Sequence, residues 1–251
     1  MHPENGTNLS PRQPDMLPGP FQTFQRGTEL AGAWEIKQQN QLLLGILHTE
    51  ATSIHWSFGF RNLIIPGSIY PVAGAPYDHA RNMVCMKALE MGVEWVAFLD
   101  SDLSVPHDCF LRLMAHRKPF ISGTYFRRSP PHGFPVAQKS YNGQRTWVRE
   151  LPTSGLMEVE VVGAGMLMIH RSLLEAIDKK PIHPSKKWFF WGVDQQGLVP
   201  PEYGQSEDFS LCSHVRKMGV PVFLDCGVRG RHIGLAEYGH GTVKPAEVVP
   251  T

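Results

Sequence analysis

Two pairs of carboxylates in this 251-residue chain have the spacing and setting to do chemistry. Asp100 and Asp102 flank Ser101 directly after the apolar run Val93 to Leu99, and Glu207 and Asp208 follow Ser206. Carboxylates two residues apart at the tip of an apolar strand do not serve packing, because neither can be buried without a partner. Their oxygens suit Mg²⁺ or Mn²⁺, hard ions that keep part of their water shell and take further ligands from substrate phosphates. A turn is the competing reading, since Asp and Ser also favour turns and the caps that precede helices. The apolar strand before the triplet and a proline-opened helix after it weigh against a mere turn. Glu207 and Asp208 fall in the first turn of a helix headed by Ser206, where the helix dipole favours negative charge by about 0.3–1 kcal/mol. That alone explains acidic residues there. The same placement also lets a carboxylate accept a proton from a hydroxyl.

Elements must bring these residues together. Gln41 to Leu47 is a short apolar run and reads as a buried first strand. Pro76 to Met91 carries Ala80, Val84, Ala88 and Met91 at helical spacing, and Gly92 ends it. Val93 to Leu99 reads as a second buried strand, and Pro106 opens a helix to about His116. Phe120 to Tyr125 reads as a strand, and Val159 to Ile169 as a longer one broken by Gly163-Ala164-Gly165. Ser172 with Glu175 forms a capping box at the next helix start. Leu211, Val215 and Met218 share a face of the helix that Ser206 caps, and Val220 to Leu224 is a last short strand. Strands alternating with helices imply an α/β fold with a central, mainly parallel sheet covered on both faces. Ligands of such sheets bind outside the carboxyl ends of the strands. The polar residues that end the strands are therefore the candidates.

Bulk properties narrow the class. Hydrophobic residues make up 42% of the chain and charged residues 19%, with a net charge of +1. This composition excludes a disordered chain and a protein that grips nucleic acid by bulk charge. Residues 1–20 are rich in proline and poor in apolar side chains, so a loose arm is expected there, a single catalytic domain over 21–238 and a flexible tail over 239–251. Cys85, Cys109, Cys212 and Cys226 show neither a C-x-x-C pair nor compact zinc spacing, so buried free thiols in a reducing compartment are expected. No run of about 18 apolar residues occurs, and the expectation is a cytoplasmic protein without a membrane span.

The order Ala80-Arg81-Asn82, Ala88-Leu89-Glu90, Phe98-Leu99-Asp100-Ser101-Asp102 and Pro106 resembles the donor half of the GT-A-fold, family-2-like glycosyltransferases. Ser206-Glu207-Asp208, Gly219-Val220-Pro221-Val222 and His232 resemble their second half, so the likeness spans roughly Gln41 to Gly234. It implies a GT-A-like, Rossmann-related sheet in a single domain, a nucleotide-sugar donor with UDP-sugars favoured, and a hydroxyl acceptor. It implies that Asp102 binds Mn²⁺ or Mg²⁺ directly, that Asp100 and Ser101 serve the ribose or a metal-bound water, and that His232 is a third metal ligand. His240 is the spare ligand candidate. Arg81 and Asn82 would lie beside the nucleotide, although a solvated helix face is an equal reading, and Thr49 with His48 and Glu50 would face the base. Asp208 would be the base of an inverting enzyme and Glu207 an acceptor contact.

Other features surround this frame. Glycines at Gly163 and Gly165 mark close backbone approach, either to an acceptor or to packed neighbours. Trp188 to Trp191 are four adjacent aromatics that cannot all face one core. Either they anchor a loop, or Trp191 belongs to a sugar platform or lid in the acceptor region. Arg127, Arg128, Arg145, Arg149, Arg229 and Arg231 could form a basic rim for a diphosphate or a nucleic-acid backbone. The expected activity is metal-dependent glycosyl, most naturally hexosyl, transfer. Its alternatives are transfer to hydroxymethylated pyrimidine bases of phage DNA, sugar-nucleotide synthesis by a nucleotidyltransferase, and a non-catalytic nucleotide-sugar-binding module. A nucleotidyltransferase would need a glycine-rich phosphate loop after the first strand, and Thr49 to Phe60 offers none.

Overall fold

The computed structural model describes residues 41–48, 52–128, 133–181, 187–191 and 206–233. The apolar run Leu42–His48 forms β1, and the alternation of its side chains feeds two separate cores. Leu43 and Leu47 pack on one face, and Leu42, Leu44 and Ile46 on the other. Strand β3 (Trp95–Asp100), which follows β2 (Gly67–Ala73), repeats the split. Val96 and Phe98 join the first core, and Trp95, Ala97 and Leu99 the second. A strand covered on both sides must be apolar at every position, because successive side chains point to opposite faces.

The remaining strands are β4 (Leu103–Ser104), β5 (Phe120–Thr124), β6 (Ala137–Tyr141), β7 (Gln144–Trp147), β8 (Leu156–Val159), β9 (Val161–Val162), β10 (Leu167–His170), β11 (Val222–Arg229) and β12 (Arg231–His232). Among the described residues, seven of the twelve strands make one sheet in the order β2-β1-β3-β10-β5-β11-β8. Strands β1, β2, β3, β5 and β11 run one way, and β10 and β8 run against them. On one face, helix α2 (Tyr77–Met91), α4 (Arg171–Lys179) and α5 (Glu207–Lys217) supply the first core. On the other, α1 (Ile54–Arg61) and α3 (Cys109–Ala115) supply the second. This is the expected α/β layout, a mainly parallel sheet flanked by helices. All four cysteines are buried and free, as expected. Among the described residues no helix is long and apolar enough to cross a membrane.

Several local expectations are corrected. Pro106 does not open α3. The helix begins at Cys109 with Asp108 as N-cap, because His107 is tied by its carbonyl to the Ile64 N–H (2.8 Å) in a preceding turn. Ser172 does not cap α4. The His170 imidazole accepts from the Ser172 N–H at 3.2 Å, so the cap lies two residues earlier. Ser206 is the N-cap of α5, but its hydroxyl donates to the Asp208 carboxylate and accepts from no helix N–H. The run from Val159 to Ile169 is not one strand. It divides into β9, a 3₁₀ turn over Ala164–Met166, and β10. The last strand of the sheet extends to Arg229, and its pairing shifts register between Asp225 and Arg229. Gly92 closes α2 as expected, in the left-handed region at φ 67°.

Candidate active site

Strands that run the same way end on the same rim, and the candidate residues gather there. Asp100 is the last residue of β3, and its backbone carbonyl accepts from the indole N–H of Trp56 at 3.1 Å. Strand β10 is inserted antiparallel between β3 and β5, with Met168 opposite Ala97 and Leu167 opposite Ser122. Its start therefore lies at their carboxyl ends, and the Gly163-Ala164-Gly165 turn is delivered beside Asp100. A Cβ on Gly165 would stand 2.8 Å from Asp100 Oδ2, and one on Gly163 2.1 Å from the Tyr125 hydroxyl. The close approach inferred from these glycines is thus to Asp100 and Tyr125.

Arg81 joins the two carboxylate pairs. It projects from α2, is almost fully buried, donates to Asp100 Oδ1 at 3.1 Å and forms an ion pair with Glu207 of α5. It is not on a solvated helix face. Its guanidinium also feels Asp208, so three carboxylates surround one cation. Burial, reinforced by Asp208 and Asp100 and opposed by Arg81, pushes the Glu207 carboxyl up to about 7. Asp208 is oriented by three donors. Oδ2 accepts from the Ala164 N–H at 3.2 Å, and Oδ1 from the Phe209 N–H at 2.8 Å and from the Ser206 hydroxyl.

One extended segment after β5 lines the other side. The Tyr125 hydroxyl accepts from the Gly165 N–H at 2.8 Å. Burial, and then Asp100 and Asp208, hold its ionisation well above the usual phenol range, so the phenol keeps its proton. The Phe126 carbonyl accepts from His232 Nδ1–H, the Arg127 guanidinium lies 4.2 Å over the Trp147 ring, and Arg128 pairs with Asp102. Sequence reasoning missed Tyr125 as a site residue, although it follows the end of a parallel strand and the strand-end rule reaches it. It also missed Trp56, because α1 carries no clear apolar period.

His232 reaches this rim through a short ladder far from its sequence neighbours. Strand β12 pairs with β4, setting His232 opposite Leu103, and the Ile233 N–H donates to the Asp102 carbonyl at 2.7 Å. Its ring is buried and meets Tyr125 edge-on with centroids 5.3 Å apart. A carbonyl can only accept, so Nδ1 carries a proton, and in the neutral ring Nε2 is the nitrogen with the lone pair. That is the tautomer a metal-ligating imidazole needs. Among the described residues no three His, Cys, Asp or Glu side chains are drawn together as a finished metal cluster. The residue types would nonetheless suit a hard divalent cation: the Asp100 carboxylate at the end of β3, the Asp102 carboxylate in the turn that follows, and an imidazole whose Nδ1 carries a proton. Asp102, Asp100 and His232 would hold it.

The other expected residues are placed as follows. Ser101 sits in the turn between β3 and β4. Asn82 accepts from the Trp188 and Phe189 N–H groups at 3.2 and 3.0 Å and donates to the Phe189 carbonyl at 2.8 Å, so its side chain clamps the aromatic segment. Trp188, Phe189 and Phe190 are buried and Trp191 is exposed, with the Trp188 indole donating to the Leu174 carbonyl at 2.8 Å. Three aromatics therefore anchor the segment and one is left outside. Of the arginine rim, Arg229 donates to the Cys226 and Pro152 carbonyls, both at 2.7 Å, and Arg145 reaches Ser213. His48 ends β1, while Thr49, Glu50, His240, the loop over 192–205, and the segments 1–20 and 239–251 lie outside the described residues.

The fold has a counterpart among solved structures. The structure of A197 from STIV matches with a TM-score of 0.57 at 16% identity, over 80% of this chain and 95% of that one. At that identity the likeness concerns the fold alone. A glycosyltransferase involved in glycosylation of the major capsid of PBCV-1 aligns with a TM-score of 0.29 at 15% identity, over 56% of this chain and 68% of that one. An apo UDP-glucose pyrophosphorylase aligns with a TM-score of 0.37 at 10% identity, over 83% and 82%. Neither superposition is close enough to carry an argument. No protein-family model matches the chain, and no curated protein matches it in sequence.

Proposed function

We propose that the chain is a metal-dependent glycosyltransferase that moves a sugar from a nucleotide-sugar donor to a hydroxyl acceptor. The observation that carries this reading is the Arg81 bridge. It brings Asp100 of the strand-end triplet and Glu207 of the Glu-Asp helix into one buried ion-pair network at the carboxyl rim of the sheet. Arg81 stands 19 positions from Asp100 and 126 from Glu207 in sequence, so the bridge supports reading the two motifs as parts of one site.

Each residue has a distinct task in this reading. Asp102, Asp100 and His232 would hold Mn²⁺ or Mg²⁺ in the donor site, with a UDP-sugar as the preferred donor. Bound there, the ion supplies Lewis-acid stabilisation of the departing nucleoside diphosphate. Asp208 is the base. An ionised carboxylate offers about four acceptor sites, and three are taken by Ala164, Phe209 and Ser206, which leaves one for the acceptor hydroxyl. The acceptor oxygen forms a bond to the anomeric carbon as the bond from that carbon to the diphosphate breaks, and the hydroxyl proton passes to Asp208. Glu207 acts through Arg81 to hold the two sides together. Trp191, exposed beyond three buried aromatics, fits the acceptor side.

The test is release of nucleoside diphosphate from a panel of nucleotide-sugars with Mn²⁺, alone and with saccharide and hydroxymethylated-DNA acceptors. Asp102→Ala is expected to lower the Mn²⁺-dependent rate at least about 100-fold with the circular dichroism spectrum unchanged. Asp208→Asn is expected to lower acceptor transfer by about 10²–10⁴-fold. A wild-type rate in Asp102→Ala rejects the reading.

A further inference from the structure

Arg128 stands where a metal site needs a free carboxylate. It ion-pairs with Asp102 through Oδ2, while its neighbour Arg127 is stacked on Trp147 of β7. The two arginines differ because successive residues of an extended segment point to opposite sides. The segment itself is held: the Val136 N–H donates to the Tyr125 carbonyl at 2.8 Å, and the Arg127 N–H to the Phe134 carbonyl at 3.0 Å. So Arg128 has a rigid base and a side chain that is 54% exposed. An ion pair this open to water is worth little and yields readily to a stronger competitor.

We propose that Arg128 is an exchanging counter-ion, paired with Asp102 while the donor site is empty and transferred to the donor's diphosphate when Asp102 takes up a divalent cation. This inference rests on the reading of Asp102 as a cation ligand. A cation on Asp102 repels the neighbouring guanidinium, and the diphosphate is the anion within reach of the same rim. A guanidinium also matches phosphate oxygens with two parallel hydrogen bonds, which an ammonium cannot do. Arg128 thus opposes the cation when it arrives alone and favours the donor when both arrive. The binding of the two is coupled through one side chain.

The two roles carry opposite signs, and that makes the exchange measurable without turnover. Mn²⁺ affinity is read from the free-ion electron paramagnetic resonance signal, without nucleotide. Nucleotide affinity is read by calorimetry at saturating Mn²⁺, with the tightest of UDP, GDP, CDP and dTDP. In Arg128→Gln, Mn²⁺ alone is expected to bind about three- to fivefold more tightly, the size of an exposed ion pair removed. The nucleoside diphosphate is expected to bind about tenfold more weakly, the loss of a charge-assisted bidentate contact. Arg128→Lys should restore part of the competition for Asp102 and little of the diphosphate affinity. Equal Mn²⁺ affinity in wild type and Arg128→Gln, or both affinities moving the same way, overturns the exchange. If Mn²⁺ binds neither protein, or binds Asp102→Asn as well as wild type, the metal-ligand reading itself fails and the exchange falls with it.

Discussion

One guanidinium, that of Arg81, faces the carboxylates of Asp100, Glu207 and Asp208. Its removal leaves negative charges crowded in a buried place, and breaking a buried pair from one side costs about 3–5 kcal/mol. Arg81→Met should lower the free energy of urea unfolding by about that amount. A change of less than about 1 kcal/mol would mean the bridge is not a strut between the two sides of the site. Arg81→Lys should recover little, since an ammonium does not span two carboxylates in a fixed fork. Glu207 offers a test by pH. Its ordinary value is 4.5, and burial first, with Asp208 and Asp100, raises it to about 7. Between those values the folded chain holds a proton that the unfolded chain has released. That contribution to stability is present below about 4.5 and is lost as pH rises through about 7. In metal-free buffer, Tm of wild type minus Tm of Glu207→Gln should fall across this window. A flat or rising difference rules out the raised carboxyl. Asp100, Asp102, Glu207 and Asp208 were all legible as candidates in the sequence, because carboxylates at a strand tip or helix start have few structural uses. Tyr125 and Arg128 were less so: a tyrosine after a strand and one arginine among several carry no distinguishing spacing.

At the scale of elements, the antiparallel insertion of β10 decides what the glycine turn does. A parallel strand there would start at the opposite rim and carry Gly163 and Gly165 away from Asp100. Because β10 runs against its neighbours, the turn lies beside the strand-end carboxylate, and only a residue without a side chain fits. In Gly165→Ala the new Cβ would meet Asp100 Oδ2 at 2.8 Å and the Tyr125 ring and hydroxyl at 3.0 Å. We expect a stability loss of about 1–3 kcal/mol, as for overpacked interiors, and a loss of Mn²⁺ affinity as Asp100 is displaced. Unfolding and Mn²⁺ titrations together check this, and unchanged Mn²⁺ affinity would separate Gly165 from the ligand set. The Glu-Asp helix was readable from its own residues. The capping box at Ser172 was not the true start of α4, because the neighbouring His170 imidazole takes the N–H first. Strand β2 escaped notice for a physical reason as well. It contains Pro71, which an edge strand tolerates and a central one does not, and β2 is an edge of the sheet.

For the molecule as a whole, two cores on either side of one sheet imply a gradient of local stability. Strands β1, β3 and β5 are buried almost throughout and lie inside the sheet, whereas the β6–β7 hairpin carries mostly exposed residues and Tyr141 is 72% exposed. Opening a segment with few buried contacts needs less free energy than opening the core. Amide hydrogen exchange should therefore be slowest in β1, β3 and β5 and fast in β6 and β7. The reverse order would mean that the hairpin belongs to the core. The carboxyl rim lies between these limits, with a rigid strand end under Asp100 and an exposed Arg128 above it.

The sequence alone was enough for the alternation of strands and helices, the mainly parallel sheet, the buried thiols and the carboxylate candidates. Each of these follows from local apolar periodicity or from a residue type that is costly to bury. Only the tertiary structure decided that Arg81 joins Asp100 to Glu207, that Gly165 abuts Asp100, that His232 lies beside the Asp102 segment through β12 and β4, and that Arg128 pairs with Asp102. These contacts join residues from different strands and helices, and strand order and direction are set by how whole faces pack, which no local pattern encodes.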